Sequence, residues 1–238
     1  SSLPVRMDSL VFNTESFDTS QLVFLDVEST GLSSGAGSIA FLVGAARIVD
    51  SEIVVKQFFL SDFPGEIELL HRLADELPEE SIIATYNGST FDLPLLRSRY
   101  TMNRLRMHSY AQLDLLHWVR RLWKSRLTSC RLTDVEIELL RIPRERDIPS
   151  SLVPELYFQF LDDNDPAALE MVFEHHLQDV VSLHRIYNRI EKTLSDSDPD
   201  DADPRHANPD DADPVALGRW FLGRDTGKAE RILRRACD

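Results

Sequence analysis

Three short stretches of the chain carry side chains whose type and spacing suit chemistry. In the first, FLDVE (24–28), Asp26 and Glu28 stand where an apolar run ends and a glycine-containing loop begins. Residues two apart in a strand point the same way, so both carboxylates aim at one point just past the end of a buried strand. Such strand ends are where sites form in open α/β sheets. Two like charges held that close are unfavourable unless a cation lies between them, and hard oxygen ligands suit Mg2+ or Mn2+. Alone, an Asp-x-Glu is more often a solvated loop edge.

The second stretch is YNGSTFD (86–92). Asn87-Gly88 signals a turn after a strand, and Asp92 falls near a helix start. An acid there is commonly just a first-turn or capping residue; the functional alternative is a third metal carboxylate. The third stretch is EHHLQDVV (174–181). His175 and Asp179 are four apart and share a helix face. A plain surface pair competes with a last metal ligand and a general base one turn away. His176, three before Asp179, is the alternative base. Asp114, at the end of YAQLD, is a rival acid better suited to a structural or outer role than to ligation.

The elements needed to bring these stretches together are legible. QLVFLD (21–26) reads as a buried central strand, and 38–48 with 52–60 as a hairpin around the turn VDS. PGEIELLHRLADELP has helical spacing, with Ile67, Leu70, Ala74 and Leu77 on one face. SIIATY is a short strand, FDLPLLRSRYTMNR a helix, YAQLD a weaker strand and LLHWVRRLWK a helix. Residues 167–194 form a long amphipathic helix with Phe173, Leu177, Val180, Val181, Tyr187 and Ile190 on its buried side. The order predicts an α/β domain on a mixed sheet with helices on both faces.

The 238 residues suffice for one good-sized core. No apolar run approaches a membrane span and no signal peptide is visible. Cys130 and Cys237 make neither a metal spacing nor a disulfide framework, which fits a reducing, cytoplasmic setting. The net charge of −14 taken alone argues against a nucleic acid partner. It is uneven, however. Residues 195–214 hold eight acids and one arginine, and read as a disordered linker. Residues 97–146 hold twelve Lys/Arg against five Asp/Glu. There Arg120, Arg121, Lys124, Arg126 and Arg131 interleave with Trp118 and Trp123, a pattern that suits a single-strand path as well as a solvated helix face.

Asp26-Val27-Glu28, Asn87-x3-Phe91-Asp92 and His175-x3-Asp179, in this order, resemble the DEDD superfamily of 3′–5′ exonucleases, which have an RNase H-like fold. FLDVESTGL, GAGSIAFLVG, YNGSTFDLPLL, LDLLHWVRRLW and HHLQDVVSL look like a bacterial branch of RNase H-like nucleases that often carry tetratricopeptide repeats downstream. The resemblance covers about residues 18–194. It departs in placing His175 where the tyrosine subclass has its tyrosine. It implies hydrolysis of single-stranded nucleic acid, DNA or RNA, with two Mg2+ or Mn2+ ions. Asp26 would bridge both ions, Glu28 and Asp179 would hold the one that activates water, and Asp92 the other. His175 would be the base. Thr30, Gly31 and Asn87 would meet the substrate strand.

The expected organisation is an RNase H-like domain over 1–194, an acidic linker over 195–214 and a helical segment over 215–238. In the last, LGRWF followed by AERILRRA resembles part of one tetratricopeptide repeat and suggests a protein partner. Two other functions compete: a non-catalytic scaffold that binds a partner through such repeats, and a structure-specific endonuclease.

Overall fold

Leu22–Ser29 forms the central strand β1, because its apolar residues bury both faces of one strand: Leu22, Val23, Phe24 and Leu25 are all fully buried. The structure, a computed structural model, describes residues 18–31, 37–144, 148–195, 211–222 and 225–235. Of the expected linker over 195–214, residues 196–210 lie outside the described residues, as does the loop 32–36.

β2 (Ala40–Val49) and β3 (Glu52–Phe59) form the expected hairpin. Asp50 and Ser51 both have positive φ, the two-residue turn that matches strand twist. β4 (Ile82–Thr85) and β5 (Ala111–Asp114) complete a five-stranded sheet of order β3-β2-β1-β4-β5. β2 is antiparallel to β1 and to β3, while β4 runs parallel to β1 and to β5. The sheet is mixed, as the element order predicted.

The helices are α1 (Glu66–Glu76), α2 (Asp92–Met102), α3 (Leu115–Trp123), α4 (Leu132–Glu138), α5 (Val153–Asp163), α6 (Ala167–Ser195), α7 (Pro214–Phe221) and α8 (Thr226–Arg235). The chain divides into two compact units, with boundaries inside α3 and α6. The sheet unit runs to Leu115 and resumes over Arg144–His184. There, Val23 and Leu25 join one core with Leu70 and Leu73 of α1, Leu96 of α2 and Tyr157 of α5. The alternate residues face α6: Phe24 meets His184 edge-on, and Asp26 meets His176. Helices therefore cover both faces. Glu66 of α1 and Arg99 of α2 form a buried bidentate pair at 2.5 and 2.6 Å, which fixes the helix that starts at Asp92.

Two helix faces differ from the sequence expectation. On α1, Ile67 and Ala74 are exposed, and Leu69, Leu70, Leu73 and Leu77 turn inward. On α6, Leu177 is exposed while Val172, His175, His176 and Val180 are buried. Counting only apolar residues rotated the expected face, because two histidines occupy core positions.

The helical unit contains Leu116–Pro143 and continues from Arg185. Trp123 and Trp118 are buried there, so they are core residues rather than the stacking platform their interleaving with arginines suggested. Trp118 packs on Trp220 with ring centroids 4.7 Å apart, and Arg121 lies over both indoles. Asp213 caps α7 by accepting from the Val215 and Ala216 amides. No described helix is long and apolar enough to cross a membrane.

Candidate active site

The pleat of β1 turns Asp26 towards α6 with Glu28 two residues on, as the spacing required. Directly opposite Asp26 on β2 is Gly44. A Cβ on Gly44 would lie 2.4 Å from Val180 and 2.6 Å from the His176 ring, so only glycine lets the long helix come this close.

That approach sets where each of the two adjacent histidines faces. His176 is fully buried, and both of its ring nitrogens are engaged. Gln57 of β3 donates to Nδ1 at 2.9 Å, and Nε2–H donates to the Asp26 carbonyl oxygen at 3.2 Å. Burial holds its pKa down to about 4, so the ring is neutral. One residue earlier on the helix, His175 faces the acids. Its Nε2 is 3.5 Å from Asp179 Oδ2 and 3.9 Å from Glu28 Oε1.

The second sequence stretch forms a loop at the end of β4. Asn87 adopts φ 65°, a left-handed conformation that asparagine tolerates. Asp114, at the end of β5, binds this loop: it accepts from Asn87 N at 2.8 Å and from Ser89 Oγ at 2.6 Å. The loop is tight against Asp92, since a Cβ on Gly88 would lie 2.5 Å from Asp92 Oδ2. Asp114 thus shapes the loop from which Asp92 projects.

Ligand atoms of Glu28, His175 and Asp179 lie within 4.8 Å of one another. Asp26 and Asp92 stand in the same electrostatic field. Burial, then the charges of Asp92, Asp179 and Glu28, push the Asp26 carboxyl well above the usual range. Burial chiefly pushes Glu28 up to about 7, with Asp179 adding to it and His175 and Arg144 opposing. Asp92 is also pushed up to about 7, by burial and then by Glu28 and Asp114. Three half-buried acids with raised pKa values, Asp26, Glu28 and Asp92, together with the Asp179 carboxylate, make a hard-oxygen donor set that fits a divalent cation.

Arg144, between α4 and α5, was not singled out by the sequence. Its side chain is 5% exposed and pairs with Asp179 through Nη2. Its Nη1 is 3.1 Å from His175 Nδ1. It was hidden among the many basic residues of 97–146, and only its position distinguishes it. Thr30 and Gly31 close the other side of the β1 end. Thr30 exchanges two 3.0 Å bonds with the backbone of Ile39, and the Gly31 carbonyl accepts from Ser29 Oγ at 2.6 Å. No substrate contact is assigned to Thr30, Gly31 or the Asn87 side chain by this geometry.

The family model RNase_H_2, described as RNase_H superfamily, matches residues 23–191. The Uncharacterized protein YprB of Bacillus subtilis (strain 168) is 35% identical over 232 residues, covering 95% of this chain and 54% of the relative. The chain therefore spans about half the length of that curated relative. Among solved structures, the family B DNA polymerase of the hyperthermophilic archaeon Pyrobaculum calidifontis is similar at a TM-score of 0.54 and 16% identity. The match covers 85% of this chain and 28% of the polymerase, and it concerns the fold alone.

Proposed function

The chain belongs to the RNase H superfamily, and from that premise we propose that it is a divalent-cation-dependent 3′–5′ exonuclease on single-stranded nucleic acid. The observation that carries the reading is the convergence of Glu28, His175 and Asp179, with Asp26 and Asp92 beside them, from three separate segments. The 3′–5′ direction rests on the resemblance of those segments to the DEDD pattern.

In this reading Asp26, Glu28 and Asp179 would hold one Mg2+ or Mn2+ ion, and Asp26 with Asp92 a second. Such ions, when bound, lower the pKa of water and neutralise charge on the attacking and leaving oxygens. The chain's own residues do the rest. Asp114 fixes the loop that carries Asp92. His176 fixes the backbone at Asp26. His175 manages the proton of the attacking water. By the resemblance alone, Thr30, Gly31 and Asn87 would meet the terminal nucleotide. Water oxygen bonds to phosphorus, the P–O3′ bond breaks, and the departing 3′ oxygen takes a proton. The products are a nucleoside 5′-monophosphate and a strand one nucleotide shorter.

The test is digestion of 5′-end-labelled single-stranded DNA and RNA with Mn2+ or Mg2+, with EDTA as control. A ladder of fragments shortened from the 3′ end, absent in EDTA and in Asp26→Asn, is the expected result. Internal cuts would replace this reading with an endonuclease. No product under any condition would favour a non-catalytic module.

A further inference from the structure

Arg144 does more than pair with an acid. One arm of its guanidinium bonds Asp179 Oδ1, and the other stands 3.1 Å from His175 Nδ1. A guanidinium can only donate, so Nδ1 of His175 must be the acceptor. A neutral imidazole whose Nδ1 accepts carries its proton on Nε2. Nε2 is the nitrogen that faces Asp179 at 3.5 Å and Glu28 at 3.9 Å, and carboxylates accept such a proton. The tautomer is therefore consistent with every neighbour of the ring named here.

We propose that Arg144 is a positioning residue that holds His175 in the Nε2–H form and in register with Asp179. The geometry favours this over a plain ion pair. A lysine would neutralise Asp179 equally well, but only a planar fork presents two parallel donors to two acceptors. Arg144 is almost fully buried, and its charge also lowers Asp26 and Glu28. The two acceptors it spans lie one turn apart on α6, so a single guanidinium sets both the rotamer of Asp179 and the hydrogen position on His175. His176, one residue on, is held in the same tautomer by different partners, Gln57 and the Asp26 carbonyl. It serves as an internal control.

The test is nitrogen-15 NMR of the full chain with labelled histidine at alkaline pH and without divalent cations, where no activity is read. The His175 signals are identified by their loss in His175→Gln. In the wild-type protein His175 should be protonated on Nε2. In Arg144→Met it should become a tautomer mixture while His176 stays unchanged, and added methylguanidinium should restore the wild-type pattern. A wild-type His175 protonated on Nδ1, or a pattern unmoved in Arg144→Met, would overturn the proposal. If Arg144→Met fails to fold, Arg144→Lys is read instead. A lysine that keeps the His175 tautomer fixed counts against the need for a fork. Failure of the nuclease assay with the expected tautomers would sink the function above and leave the positioning role standing.

Discussion

Gly44 on β2 stands directly opposite Asp26 on β1, and a single methyl group added to it would collide with both Val180 and His176 of α6. The acid and the missing side chain are one design: the helix that carries His175 and Asp179 reaches the acids because β2 offers no Cβ at this point. Gly44→Ala should push α6 off the sheet and destabilise the protein by about 1–3 kcal/mol, the usual cost of overpacking. Urea denaturation measures it. An unchanged midpoint would show that α6 adjusts without strain.

The half-buried acids give a pH signature. Glu28 and Asp92 have pKa values raised to about 7, so the fold binds their protons more tightly than the unfolded chain does. Their contribution to stability is full below the ordinary carboxylate pKa and is lost as pH rises through about 7. His176 acts the other way, losing stability as pH falls from about 6.5 towards about 4. Two acids outweigh one imidazole, so in EDTA the Tm contribution of this cluster falls between about pH 5 and 7. A divalent cation prefers the ionised carboxylates, so the gap between Tm with Mn2+ and Tm in EDTA should be small near pH 5 and open above about pH 7. Asp26→Asn should close that gap. A gap of equal size at both pH values would argue against cation binding by this cluster.

The two adjacent histidines should separate by assay. His175→Ala should lower turnover by at least about a hundredfold, the usual range for a lost general acid or base, with little change in Tm. His176→Ala should instead lower stability by about 1–3 kcal/mol, because it strands the Gln57 amide and the Asp26 carbonyl in a dry site. Reversed outcomes would mean that the helix presents the other ring to the reaction.

Asp114 should behave as a loop anchor. Asp114→Ala leaves the Asn87 amide and the Ser89 hydroxyl without their acceptor, which costs about 1–3 kcal/mol. Amide exchange at Asn87 should speed up while β1 amides stay protected. Uniform loosening of β1 would show that Asp114 instead supports the whole sheet.

Much of the site was legible because short spacings are dictated by backbone geometry. A two-residue step in β1 and a four-residue step in α6 fix which side chains share a face, whatever the rest of the fold does. The buried strand at 22–25 and the short turn at Asp50-Ser51 likewise follow from local composition. The inward face of α6 was misread at Leu177 because its core contact is made partly by histidines, which no hydropathy pattern counts as apolar.

The sequence by itself determined the succession of elements along the chain, the three acidic segments and the presence of two candidate imidazoles. Only tertiary structure shows that His175 faces the acids while His176 is buried against the sheet. This depends on how closely α6 settles on β2, which Gly44 allows, and on Gln57 from β3, which takes up the His176 ring. Tertiary structure alone also singled out Arg144 from twelve basic residues between 97 and 146. A charge acquires its role from what it is buried against, and the partners of Arg144 lie 31 and 35 residues away along the chain. That separation carries no periodic signal, because it is closed by packing and not by any backbone repeat.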